Sequence, residues 1–207
     1  MGESLSKTTW LALSLAFLLA LLVIVALYIH FTRQEGYREL YPSKVEELIR
    51  EAKASLVVSV EGFSNGSAIP SKYTCDGPDL SPEVRISNIP DNAKSIALLV
   101  YDPDTPSGVF YHWLIYNIAS RGRDITISGG QPRKVRVELG LQGINDFGEP
   151  GYRGPCPPPS HGKHRYVFLA LALDSEVHLE GEDIPSILAY MKGHVIAYGV
   201  YVGLYER

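Results

Sequence analysis

The sequence predicts an all-β domain, an antiparallel sandwich or barrel with short peripheral helices, preceded by one transmembrane helix. Short apolar runs recur at residues 56–60, 95–101, 111–117, 134–139, 166–174 and 195–205, separated by Gly, Pro, Asn and Asp. Runs of that length bounded by turn residues read as strands. The 19 glycines and 14 prolines among 207 residues supply the tight turns such a fold needs. Residues 10–29 are almost wholly apolar, and no Lys, Arg, Asp or Glu occurs from Thr8 to Thr32.

In chain order, a tail over residues 1–9 leads into an anchor over residues 10–32. About twenty apolar residues cross the hydrocarbon core as a helix, and Trp10, Tyr28 and His30 stand near the ends, where amphipathic rings favour the interface. A cleaved signal peptide competes, but its apolar core is shorter and no small-x-small site follows. Lys7 faces Arg33, Arg38 and Lys44 across the span, too few charges to orient it. A short tail, one span and a globular part is the usual layout of an outward-facing protein, which places the domain outside the cytoplasm.

Residues 33–54 read as a stalk or lid: Ser43 to Glu46 has the capping-box pattern, and Val45, Leu48, Ile49 and Ala52 mark one helical face. Residues 55–207 form the domain. A late helix is expected over 185–192, with Pro185 in its first turn and Gly193 at its stop. The last strand carries Gly199 and Gly203, which permit bending or close packing.

A net charge of −4 with both signs interspersed gives no footprint for nucleic acid. Cys75 and Cys156 fit no zinc spacing; they are either one disulfide or two buried thiols. Two stretches carry polar chemistry. An apolar strand ends on Asp102-Pro-Asp-Thr-Pro106, and His112 follows inside the next strand. Asp104 is expected to bond amides of its turn, and Asp102, nearer the sheet, to need a buried partner. The loop of residues 151–163 holds Pro155, Pro157, Pro158 and Pro159, and delivers His164, Arg165 and Tyr166 to the start of a strand. A metal site from Asp102, His112 and His164 has no support in spacing. No Gly-x-Ser-x-Gly elbow surrounds Ser107 or Ser160, and the prolines around Cys156 fit no helix terminus that would activate it. An anion pocket needs only converging donors.

These motifs resemble the phosphatidylethanolamine-binding proteins, also called Raf kinase inhibitor-like proteins, and are most similar to the prokaryotic branch. The resemblance runs through residues 102–106, His112-Trp113, residues 151–158 and His164-Arg-Tyr166, with Tyr73-Thr-Cys-Asp-Gly77, Ser81-Pro82, Gly193-His194 and Gly203-Leu-Tyr205. It covers the chain from about Leu56 onward. It implies a two-sheet antiparallel β-sandwich with peripheral helices and a small anion pocket lined by Asp102, Pro106, His112, Pro158, His164 and Tyr166, with Phe110 at its rim. The animal proteins close this pocket with a C-terminal helix, which is not expected here because the sequence stops at Arg207.

The function expected from the resemblance is therefore a membrane-held, non-enzymatic binding module, without cofactor or metal. Its ligand would be a small anion or phospholipid head group. The alternative is an inhibitor or regulator of a protease or kinase acting through surface loops.

Overall fold

The computed structural model describes residues 17–32, 41–106 and 108–207. They fall into two units, residues 1–40 and residues 41–207. In the first, residues 17–32 form a solvent-exposed helix, α1. Among the described residues no helix is long and apolar enough to cross a membrane. The transmembrane helix expected over residues 10–32 is thus not found there; residues 10–16 of it lie outside the described residues.

The second unit holds eleven strands in two sheets. The larger is built on β5 (Ser95–Thr105), β6 (Gly108–Ala119), β10 (His164–Leu173) and β11 (Val195–Tyr205). Its order is β1-β11-β10-β5-β6-β9-β8, with β1 at Ala54–Ser55, β8 at Arg136–Val137 and β9 at Gly140–Gln142. The smaller sheet is antiparallel, β2-β4-β7, from Val57–Val60, Val84–Ser87 and Asp124–Ile127. Both faces of the large sheet are covered, so β5 and β10 are buried almost end to end rather than alternating. Ile96, Leu98, Val100, Trp113, Ile115 and Phe168 join Val58, Val60, Val84 and Ile86 of the small sheet in the core.

The expectation of a purely antiparallel sandwich needs correction. Both short segments on the outer edge of β11, β1 and β3 (Ser67–Ala68), run parallel to it. The chain leaves this edge to build β2 in the other sheet and then returns. That covers the edge in two pieces, and an open edge invites pairing with other chains. The crossing explains the glycines of β11: a Cβ at Gly199 would sit 2.4 Å from the Leu56 carbonyl oxygen, and one at Gly203 2.4 Å from Ile69.

Helix α2 (Ser43–Ile49) buries Val45, Leu48 and Ile49, and it packs against β11 and against α3 (Ile184–Met191). It is part of the domain and not a stalk. Three such side chains gain about 1.5–3 kcal/mol each on burial, whereas a seven-residue helix alone in water is marginal. The expected capping box is absent as well. Pro42 is the N-cap, and its carbonyl accepts from Val45 and Glu46 at 2.8 and 2.9 Å. Helix α3 begins with Pro185 in its first turn; the Asp183 side chain caps it, accepting from Ser186 N–H at 2.8 Å.

Candidate functional site

The β5–β6 hairpin and the start of β10 bring the polar residues together. The strand β5 does not stop at Asp102 as the turn chemistry suggested; it continues to Thr105, with an irregular register after Asp102, and Thr105 faces Gly108 across the hairpin. Asp102 is buried, and its two oxygens do different work. One accepts from the Asp104 amide at 2.8 Å, and the other meets His164 Nδ1 at 2.7 Å. The turn-bonding role expected of Asp104 thus belongs to Asp102. Asp104 instead accepts from the Arg165 backbone N–H at 2.7 Å and from its guanidinium Nε at 2.9 Å. Partial burial pushes the Asp104 carboxyl up, but the hydrogen bonds and charge of Arg165 outweigh it and hold the pKa below the usual value.

His112 reaches the same place from β6. Its Nδ1 lies 2.7 Å from the Arg153 carbonyl, while its own carbonyl accepts from Arg153 N–H at 3.1 Å, so the ring is locked to the loop. Burial lowers its pKa despite the raising influence of that carbonyl and of Asp102. Tyr166 packs edge-on to His112 with ring centroids 5.2 Å apart. Burial first, and then the Asp102 carboxylate, pushes the Tyr166 phenol far up, so it stays protonated.

The loop wall is held by Asp79. Asp79 accepts from Gly154 N–H at 2.7 Å and from Arg133 at 2.6 Å, and it pairs with Arg153 at 3.2 Å. The Tyr152 hydroxyl donates to the Tyr73 carbonyl at 2.7 Å. Gly154 cannot carry a side chain, because a Cβ would fall 2.1 Å from the Tyr73 carbonyl oxygen. Cys75 and Cys156 are joined by a disulfide, with Cα atoms 5.4 Å apart.

The result is a recess of about 320 Å³ lined by every residue singled out for the site, Asp102, Pro106, Phe110, His112, Pro158, His164 and Tyr166. Sequence reasoning missed Thr105, Phe147 and Pro157 in the lining. It also missed His161, whose Nδ1 lies 3.0 Å from His164 Nε2. Phe147 stacks edge-on against Phe110 at 4.9 Å and His112 at 5.5 Å; no periodicity in its loop could have flagged it. Larger hollows of about 790 and 600 Å³ lie elsewhere and contain no buried His–Asp pair. Among the described residues no group of three or more His, Cys, Asp or Glu is placed to hold a metal ion.

With this geometry in hand, comparison with known proteins is decisive about ancestry. The family model for phosphatidylethanolamine-binding protein matches residues 59–206. The chain belongs to the phosphatidylethanolamine-binding protein family. Relatives within it include a UPF0098 protein of Pyrococcus horikoshii, 45% identical over 76% of this chain and 79% of the relative. Another, from Aquifex aeolicus, is 40% identical over 78% of this chain and 94% of the relative. Among solved structures, a phosphatidylethanolamine-binding protein homologue from Chlamydia trachomatis aligns with a TM-score of 0.65 at 37% identity, covering 75% of this chain and 99% of that one. Escherichia coli YbcL aligns with a TM-score of 0.67 at 27% identity, covering 74% and 99%. The family match begins inside β2, so α1 and α2 lie outside it.

Proposed function

We propose that the chain is a non-catalytic binding protein whose pocket captures a small phosphate-bearing or carboxylate ligand, such as a phospholipid head group. The observation that carries this reading is the convergence of Asp102, His112, His164 and Tyr166, from three strands, on one recess with Phe and Pro walls. A few convergent polar groups in an otherwise apolar cavity of this size suit a small ligand. Among the described residues no hydroxyl or thiol is bonded to an imidazole of the site. The imidazole backed by Asp102 presents its other nitrogen to His161 and not to a hydroxyl or thiol, and Cys156 is committed to its disulfide.

Calorimetric titration of the full chain with phosphorylethanolamine tests this. Saturable binding at one site is expected, weakened at least about tenfold by Asp102→Asn, since a hydrogen bond to a charged group is worth about 1.5–3 kcal/mol. No binding at millimolar ligand, beside inhibition of a protease or kinase, would favour the surface-loop alternative.

The working location is part of the proposal: residues 10–32 hold the pocket at a membrane, outside the cytoplasm. The disulfide supports an oxidising compartment, although intracellular proteins of hyperthermophiles also keep such bonds. A tether raises the local concentration of membrane-linked ligand, so weak affinity suffices. Release by carbonate would sink the tether, and full protection from protease in intact cells would sink the orientation.

A further inference from the structure

Tyr111 carries a polar atom that the fold leaves unanswered. Trp113 pairs with Val100 and Tyr111 with Tyr101, so His112 is an extra residue in β6, and Tyr111 lies outside the core that Trp113 joins. It borders instead a cavity of about 290 Å³ beside α2 and α3, walled by Leu48, Pro185 and Leu188. Tyr111 is only 4% exposed, and its buried hydroxyl has no hydrogen-bond partner among the described residues. A buried hydroxyl left unpaired costs free energy that a partner recovers. Burial, and then the Asp146 carboxylate, pushes the phenol pKa up to about 12, so the group stays a donor at neutral pH.

Charge divides this cavity into two ends. Behind Tyr111, the Asp146 carboxylate accepts from its N–H at 2.7 Å, and the Asp183 carboxylate lies near enough to act on Asp146. An anion is disfavoured at that end, whereas a neutral oxygen accepts from the phenol without the same repulsion. At the mouth stand the exposed side chains of Lys44, Glu47 and Lys192. Glu47 is taken up by Lys192, with Arg50 adding to the positive field. Lys44 pairs with no carboxylate among the described residues. The cavity shares no lining residue with the recess of Asp102 and His112, and Lys44, Glu47 and Leu48 precede the family match at residue 59.

We propose that this cavity is a second ligand site, for a small aliphatic anion that carries a neutral carbonyl at its buried end. The carbonyl accepts from Tyr111, the chain lies on Leu48, Pro185 and Leu188, and the anionic group meets Lys44 at the mouth. At about 30 Å³ per water, the cavity holds about ten non-hydrogen atoms, the size of an oxo acid of about seven carbons.

The test is a saturation-transfer NMR titration of the full chain with three probes of one length: 6-oxoheptanoate, heptanoate without the ketone, and 2-heptanone without the carboxylate. We expect 6-oxoheptanoate to bind at least about threefold more tightly than heptanoate, the fold-change of one neutral hydrogen bond. It should bind at least about twofold more tightly than 2-heptanone, as for an ion pair near the surface. Tyr111→Phe should bring the first ratio to about one and keep the second, and Lys44→Gln should do the reverse. Tyr111→Phe should also keep the urea midpoint of the ligand-free chain, because it deletes a hydroxyl that has no partner. If that variant fails to fold, Lys44→Gln and the ranking of the probes on the unaltered chain decide. Binding by none of the probes, equal affinities, or ratios that neither substitution moves overturn the inference. So does a midpoint lowered by more than about 0.5 M in Tyr111→Phe, since the hydroxyl would then have had a partner. Each of these results leaves the anion pocket standing.

Discussion

Removing the Cys75–Cys156 bond separates what holds the site's loop from what limits the unfolded chain. The bond links residues 81 apart in sequence, and in the chain-entropy model closing a loop of that length stabilises by about 4.5 kcal/mol at 25 °C. Native contacts at the same place do not depend on it. The Pro155 carbonyl accepts from Cys75 N–H at 3.1 Å, Asp79 holds Gly154 N–H at 2.7 Å, and the Tyr152 hydroxyl holds the Tyr73 carbonyl at 2.7 Å. A Cys75→Ala/Cys156→Ala chain should therefore fold with its pocket intact but unfold much more easily. With a urea slope of about 2 kcal/mol per molar, the midpoint should drop by about 2 M, while phosphate affinity should change less than about threefold. Urea titration followed by tryptophan fluorescence, with Trp113 in the core, reads the first quantity, and calorimetry the second. A midpoint shift below about 0.5 M would refute the loop-entropy argument. Collapse of binding in a folded variant would refute the claim that the hydrogen bonds alone keep Pro157 and Pro158 in place.

Further outcomes follow from single contacts. Gln142 is fully buried; it accepts from Trp113 Nε1 at 2.6 Å and donates to the Pro132 and Lys134 carbonyls at 2.8 Å each. Gln142→Leu should cost at least about 2 kcal/mol by leaving Trp113 Nε1–H and the Lys134 carbonyl unpaired, since the Pro132 carbonyl still accepts from Lys134 N–H; this is measured by denaturant unfolding, and a loss under about 1 kcal/mol would contradict it. Gly154→Ala places a Cβ on the Tyr73 carbonyl, so calorimetry should show phosphate affinity down at least about tenfold; unchanged affinity would mean the loop moves without cost. His112 has a folded pKa below its usual 6.5, so the unfolded chain binds the extra proton. Its contribution to stability is complete above pH 6.5 and is lost as pH falls toward the folded pKa. The melting temperature should fall on acidification from pH 7 to 5, less steeply in His112→Gln, and equal slopes would remove His112 from the account.

Much of the large sheet was legible because its strands are covered on both faces. Runs such as Ser95–Tyr101 and the stretch into Leu173 are apolar without alternation, and only a buried strand or helix tolerates that. The small sheet was not legible beyond β2. Val84–Ser87 and Asp124–Ile127 are four residues each, with Arg85 and Thr126 on the outward face, and so short an alternation is shared by many loops. The stripe Val45, Leu48, Ile49 marked a helix with something to bury, but a stripe does not name its cover; β11 and α3 do that only once the chain has folded back.

For the site, turn and strand-end chemistry was enough to nominate residues, since prolines and glycines act locally on the backbone. Their chemical state was decided elsewhere. Which nitrogen of His112 is a donor depends on the carbonyl of Arg153, 41 residues away, and His164 is engaged by Asp102 62 residues before it. The parallel pairings on β11 and the Asp79 anchor of the loop likewise join segments far apart in sequence. Local conformational preference is written residue by residue along the chain. Burial, tautomer and pairing direction are properties of neighbours that the chain acquires only on closing its long loops.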